Sequence, residues 1–127
     1  MKLAGIYGIT VGLMMIVQWA FFIAAGQAPE LQTEPIRIAF HLAAELITAM
    51  GLIVSGSAIL RRAAWSASAF LLFAGMLTYS IIVSPGYFAQ QGQWIFVVMF
   101  ALLLALALAS VFTVAQRYAK GGQNDKP

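Results

Sequence analysis

Long apolar runs, rather than short amphipathic periods, dominate this chain. No charged residue lies between Lys2 and Glu30, only Glu45 lies between Arg37 and Arg61, and none lies between Arg62 and Arg117. The last run decides the number of elements. Helical throughout at ~1.5 Å per residue, it would reach roughly 80 Å, more than twice the ~30 Å hydrocarbon core of a bilayer, so it must fold back once. The reversal falls in SPGYFAQQGQW, residues 84–94. Pro-Gly, a second glycine and several amides supply turn chemistry there, between aromatic residues suited to a headgroup layer. The pattern predicts an all-α integral membrane protein: four transmembrane helices in an up-down bundle, over about 3–25, 36–60, 64–83 and 93–116. Residues 1–118 form the transmembrane domain, and 119–127 a polar tail without fixed structure.

Composition gives the same answer independently. A chain of 127 residues that is 62% hydrophobic and 9% charged cannot cover a water-facing surface with polar groups. The absence of cysteine removes disulfides, thiolate metal sites and cysteine nucleophiles. The net charge of +3 does not point to nucleic acid, because its residues flank the apolar runs and belong to the membrane boundary.

Charge position also orients the spans. Lys2, Arg61, Arg62, Arg117, Lys120 and Lys126 fall on one side of a four-span hairpin pair, whereas Glu30, Glu34 and Arg37 fall on the other. The positive-inside rule then places both termini in the cytoplasm, and the expected location is the cytoplasmic membrane of a prokaryote. The segment before Pro29 resembles a secretory signal, but its apolar run is longer than a signal core and a proline follows the small residues, so it is expected to stay as the first span.

Helices in lipid associate through close contact, which small residues permit. Gly8 and Gly12 in the first span, and Ala101, Ala105 and Ala109 in the last, recur every four residues and mark candidate packing faces. Their neighbour is either another helix of the chain, a second copy or a partner membrane subunit.

Candidate chemistry centres on HLAAELITAM, residues 41–50. Residues four apart share a helix face, so His41, Glu45, Thr48 and Ala49 line one stripe of the second span. At the same depth lie Gln18 in the first span and Thr78, Tyr79 and Ser80 in the third. An ionisable side chain in a membrane span costs ~2.5 kcal/mol or more, and a functional site is the default reading. Glu45, His41, Gln18, Thr48 and Tyr79 are therefore the expected ligand or proton site, in the outer half of the bilayer. The structural alternative is that Glu45 hydrogen-bonds Gln18 or Tyr79 and ties helices together, with His41 a satisfied polar residue near the interface. Tyr87, Phe88 and Trp94 form a candidate access loop over this layer, or an aromatic belt.

Other chemistry has weaker support. One histidine and one glutamate are too few ligands for a closed zinc site, and a single histidine gives a haem at most one axial ligand per chain. Met14, Met15, Met50, Met76 and Met99 are ordinary apolar filler. The architecture resembles that of small multidrug transporters, whose glutamate lies in the first span rather than the second, so the resemblance implies no substrate. Three functions fit the sequence, which specifies no cofactor. The first is a small oligomeric protein that binds and transports an ion or small molecule through Glu45. The second is an accessory or anchoring subunit of a larger membrane complex. The third, an enzyme-like reading, is a quinone- or haem-binding redox subunit.

Overall fold

The computed structural model describes residues 1–27 and 29–124. Six helices follow in order: α1 (Lys2–Ala24), α2 (Glu30–Thr33), α3 (Pro35–Leu60), α4 (Ser66–Val83), α5 (Pro85–Gln90) and α6 (Trp94–Asn124). No strand occurs among the described residues. Four helical units are long and apolar enough to span a membrane: α1, α3, α4 extended by α5, and α6. Lipid offers the backbone no hydrogen-bond partner, so a spanning segment must satisfy its own amides, and a helix does this within one segment.

Three of these helices end in the same way. The residue just past the last turn takes a left-handed conformation: Gly26 (φ 69°) after α1, Arg62 (φ 58°) after α3 and Gly92 (φ 72°) after α5. The next amide reaches back five residues, with Gln27 N–H donating to Phe22 O, Ala63 N–H to Ala58 O and Gln93 N–H to Phe88 O, each at 2.9 Å. This cap satisfies carbonyls that the helix end would leave bare.

The caps place the third reversal at one end of the 84–94 segment. Pro85-Gly86 does not turn the chain: Ser84 keeps helical angles (φ −61°, ψ −37°) and Pro85 starts α5 in the first turn, where its missing N–H costs nothing. The chain reverses at Gly92 instead. The tail also departs from expectation, since α6 continues to Asn124. Gln116, Arg117, Ala119 and Lys120 are good helix formers added to an existing helix, and each extra residue gains one backbone bond. The last part of the expected tail, Asp125 to Pro127, lies outside the described residues.

Packing begins with glycine. The Cβ that Gly12 lacks would sit 2.6 Å from the Ala49 carbonyl oxygen, that of Gly56 2.6 Å from the Gly5 oxygen, and that of Gly8 3.2 Å from the Leu52 oxygen. As residue numbers rise on α1 they fall on α3, so the two helices run antiparallel in near backbone contact. Gly51 gives α4 the same access, its missing Cβ falling onto the Phe73 ring. α4 then packs on α6, and α6 returns to α1 along the slimmest of the seams. Both termini therefore lie at one end, the terminal end, with α2 and α5 at the distal end.

Burial is uneven along the bundle. Phe70, Leu52, Val114 and Ser55 are the largest fully buried side chains, and α1 buries nothing beyond Gly12. The terminal half is thus a closely packed plug, while the distal half of α1 stands less enclosed. Tyr7 stitches the slim seam, its hydroxyl donating to the Leu103 carbonyl at 2.7 Å. On α6 the face turned inward is Leu103, Leu104, Ala107, Val111 and Val114. Ala101, Ala105 and Ala109 are exposed: Ala101 edges the groove between α4 and α6, while Ala105 and Ala109, two residues out of step with the inward stripe, point to the opposite side of the helix.

Candidate functional site

The Glu45 carboxylate accepts a hydrogen bond from the Ser80 hydroxyl at 2.6 Å, joining α3 to α4. Both side chains are half-buried. The contact follows from helical spacing. Phe70, Ala74, Leu77 and Ile81 turn α4 toward the core, and Ser80 sits beside that stripe on the side that meets α3. A short donor–acceptor distance suits a hydroxyl bonded to a carboxyl group.

Glu45 has no cationic partner among the described residues. The ion pair they contain joins Arg37 to Glu34 at 3.1 Å, exposed near the start of α3. Other hydroxyls of α3 and α4 are occupied within their own helices: Thr48 donates to Ala44 O and Thr78 to Ala74 O, both at 2.8 Å, and Ser55 to Gly51 O at 2.6 Å. Each of these satisfies its own helix one turn back, as serine and threonine commonly do in membrane helices. Two side-chain hydrogen bonds cross between helices among the described residues, Tyr7 to Leu103 and Ser80 to Glu45.

The remaining residues of the expected site are dispersed. His41 is exposed and meets the Trp19 ring edge-on, with centroids 5.6 Å apart. Gln18 is half-buried on α1. In the register set by Gly12 on Ala49 and Trp19 on His41, it lies roughly 4 Å distal of Glu45. Thr48 is buried, with its hydroxyl turned to its own backbone. Tyr79 is 72% exposed and faces away from the bundle, because one residue along a helix rotates the side chain by about 100°. The carboxylate therefore meets Ser80 rather than Tyr79.

The candidate access loop takes a different place as well. Phe88 stacks on Phe96 and Phe100 of α6, at centroid distances of 4.7 and 5.9 Å, while Tyr87 and Trp94 are exposed. These contacts fasten α5 to α6. Beneath them an apolar groove of about 230 Å³ runs between α4 and α6, lined by residues such as Ile81, Pro85, Phe100 and Leu104. Among the described residues, no three His, Cys, Asp or Glu side chains gather where a metal ion could be held.

Sequence reasoning named neither Trp19 as the neighbour of His41 nor Tyr7 as a cross-bundle donor. Ser80 was within its reach: among the polar residues of α4 at that depth, it alone adjoins the buried stripe on the side toward α3.

The chain belongs to the family described as a domain of unknown function, DUF8058, whose profile matches residues 1–125. No curated protein and no solved structure matches the chain.

Proposed function

We propose that this protein binds a proton or small cation at Glu45 from the distal side of the membrane, with both termini cytoplasmic, and that it carries the ion onward as part of an oligomer. The observation that carries the reading is the Glu45–Ser80 contact. A half-buried carboxylate with one neutral donor and no cationic partner among the described residues lacks the counter-charge that an anion in lipid requires. Either a proton or a bound cation supplies it. Gln18 on the opposing helix adds polar capacity in the same layer, and the exposed His41 stands toward the distal entrance. Below the site, Leu52, Phe70 and Val114 close the single bundle, so passage requires a rearrangement of the bundle or a path between subunits.

The test uses the purified chain in vesicles carrying an internal pH reporter, with imposed proton or potassium gradients. An ion flux lost in Glu45→Gln and retained in Thr113→Val is the expected result. Absence of flux under every gradient, or an undiminished flux in Glu45→Gln, would overturn the reading.

A second reading is favoured by α6. Its exposed Ala101, Ala105 and Ala109 offer a close-approach face to another helix, as an accessory subunit of a larger membrane complex needs. A stoichiometric partner that copurifies with the wild type and is lost in Ala105→Leu supports it. A stable assembly of this chain alone, unchanged by that substitution, counts against it.

A further inference from the structure

Arg62 breaks a local rule. It holds φ 58° at the position after α3 where the cap favours glycine, whereas Gly26 and Gly92 fill the same position after α1 and α5. A non-glycine residue kept in a sparsely populated conformation points to a use for its side chain. The tight cap also fixes where that side chain emerges. The chain passes from the end of α3 at Leu60 to the start of α4 at Ser66 with Arg61, Arg62 and Trp65 all exposed between them. They therefore leave the bundle at the level where the apolar helices stop, and not on a loop extending into water.

Other cations join them. Lys2 opens α1, and Arg117 and Lys120 lie on the part of α6 that runs beyond Val114, the last residue of that helix in the packed core. From Val114 to Asn124 the helix advances ~15 Å. All five cationic side chains are exposed, and no acidic residue accompanies them at this end among the described residues. Trp65 and Tyr118 lie close to the arginines in the chain, at 53% and 58% exposure. Exposed aromatic and guanidinium side chains at one span boundary suit a phosphate-bearing headgroup layer.

We infer that the terminal end of the bundle is a binding surface for anionic phospholipid headgroups, with Arg61 and Arg62 as its centre and Trp65, Arg117 and Lys120 as its rim. Charge complementarity selects the lipid class: a phosphate without a compensating amine pairs with this end better than a zwitterionic headgroup. The level of the arginines at the bilayer boundary favours lipid over a soluble polyanion. The surface is separate from the Glu45 site, and its test does not depend on ion transport.

The experiment reconstitutes the full chain into discs of mixed phosphatidylglycerol and phosphatidylcholine, and measures by spin-labelled analogues of each which lipid occupies the protein boundary. Phosphatidylglycerol is expected to be enriched at the boundary, and each arginine neutralised should lower the enrichment by roughly five-fold at low salt. Arg61→Gln and Arg62→Gln should show that loss, and Arg62→Lys should keep the preference because the charge stays. Arg62→Gly removes the charge while relaxing the backbone, so a lost preference in that variant reports charge rather than misfolding. Equal occupancy by the two lipids in the wild type, or a preference unchanged in both glutamine variants, would overturn the proposal. So would tight, arginine-dependent capture of polyglutamate or RNA in pure phosphatidylcholine discs, which would make the partner a soluble polyanion.

Discussion

Replacing Gly12 by alanine adds one methyl group to one of the two tightest points of the α1–α3 seam. That carbon would lie 2.6 Å from the Ala49 carbonyl oxygen and 2.7 Å from Ile53 Cγ1. The side chain of Ile53 can rotate, but the oxygen belongs to helix backbone and cannot. Ordinary contact begins at 3.4 Å, so the two helices must part by about 0.8 Å at this level. A gap of that size forfeits a quarter to a half of each affected dispersion contact. Over roughly twenty atom pairs at ~0.15 kcal/mol each, the loss is ~1 kcal/mol, at the lower end of the 1–3 kcal/mol typical of overpacking. Because a separation at Gly12 also loosens Gly8 on Leu52, a cost of about 2 kcal/mol is reasonable before the helix-propensity gain of up to ~1 kcal/mol is returned. Gly12→Ala should therefore destabilise the bundle by about 1 kcal/mol or more. Gly75→Ala is the matched comparison: nothing lies within 4 Å of its added carbon. Only the propensity gain applies, and the sign reverses. The assay is reversible unfolding in mixed micelles titrated with a denaturing detergent, followed by tryptophan fluorescence. If Gly12→Ala stabilises as much as Gly75→Ala, backbone proximity is not what holds α1 to α3.

Three further outcomes follow from individual contacts. Tyr7→Phe removes the hydroxyl bonded to the Leu103 carbonyl and should cost about 0.6–1.7 kcal/mol in the same unfolding assay; spin-label distances between α1 and α6 should broaden, and an unchanged distribution would argue that this bond does not hold the seam. Arg62→Gly relieves a left-handed backbone and should stabilise by ~1 kcal/mol, read as a raised midpoint of detergent unfolding; a lowered midpoint would contradict the strain at that cap. Ser80→Ala removes the donor to Glu45 and should destabilise by ~1 kcal/mol, whereas Thr113→Val, whose hydroxyl bonds only its own helix, should change stability by less than ~0.5 kcal/mol. Equal effects of the two would deny the cross-helix bond any special weight.

The sequence by itself determined the membrane class, the number of spans and their approximate limits, because charge-free length is a one-dimensional property and the bilayer thickness is fixed. It also marked Glu45, since an ionisable residue within an apolar run stands out without any knowledge of its neighbours. Tertiary structure decided what those residues meet. Ser80 and Tyr79 are adjacent in the chain, yet the rotation of α4 gives the carboxylate to one and turns the other out. The two small-residue stripes look alike in sequence, but the glycines of α1 lie against α3 backbone while the alanines of α6 are left uncovered. Within the 84–94 segment the chain reverses at Gly92 and not at the Pro-Gly pair, because a completed helix end can be capped there. In the first two cases the deciding quantity was the angle or register of one helix against another. That relation is set by packing among residues far apart in the chain, so no local pattern records it.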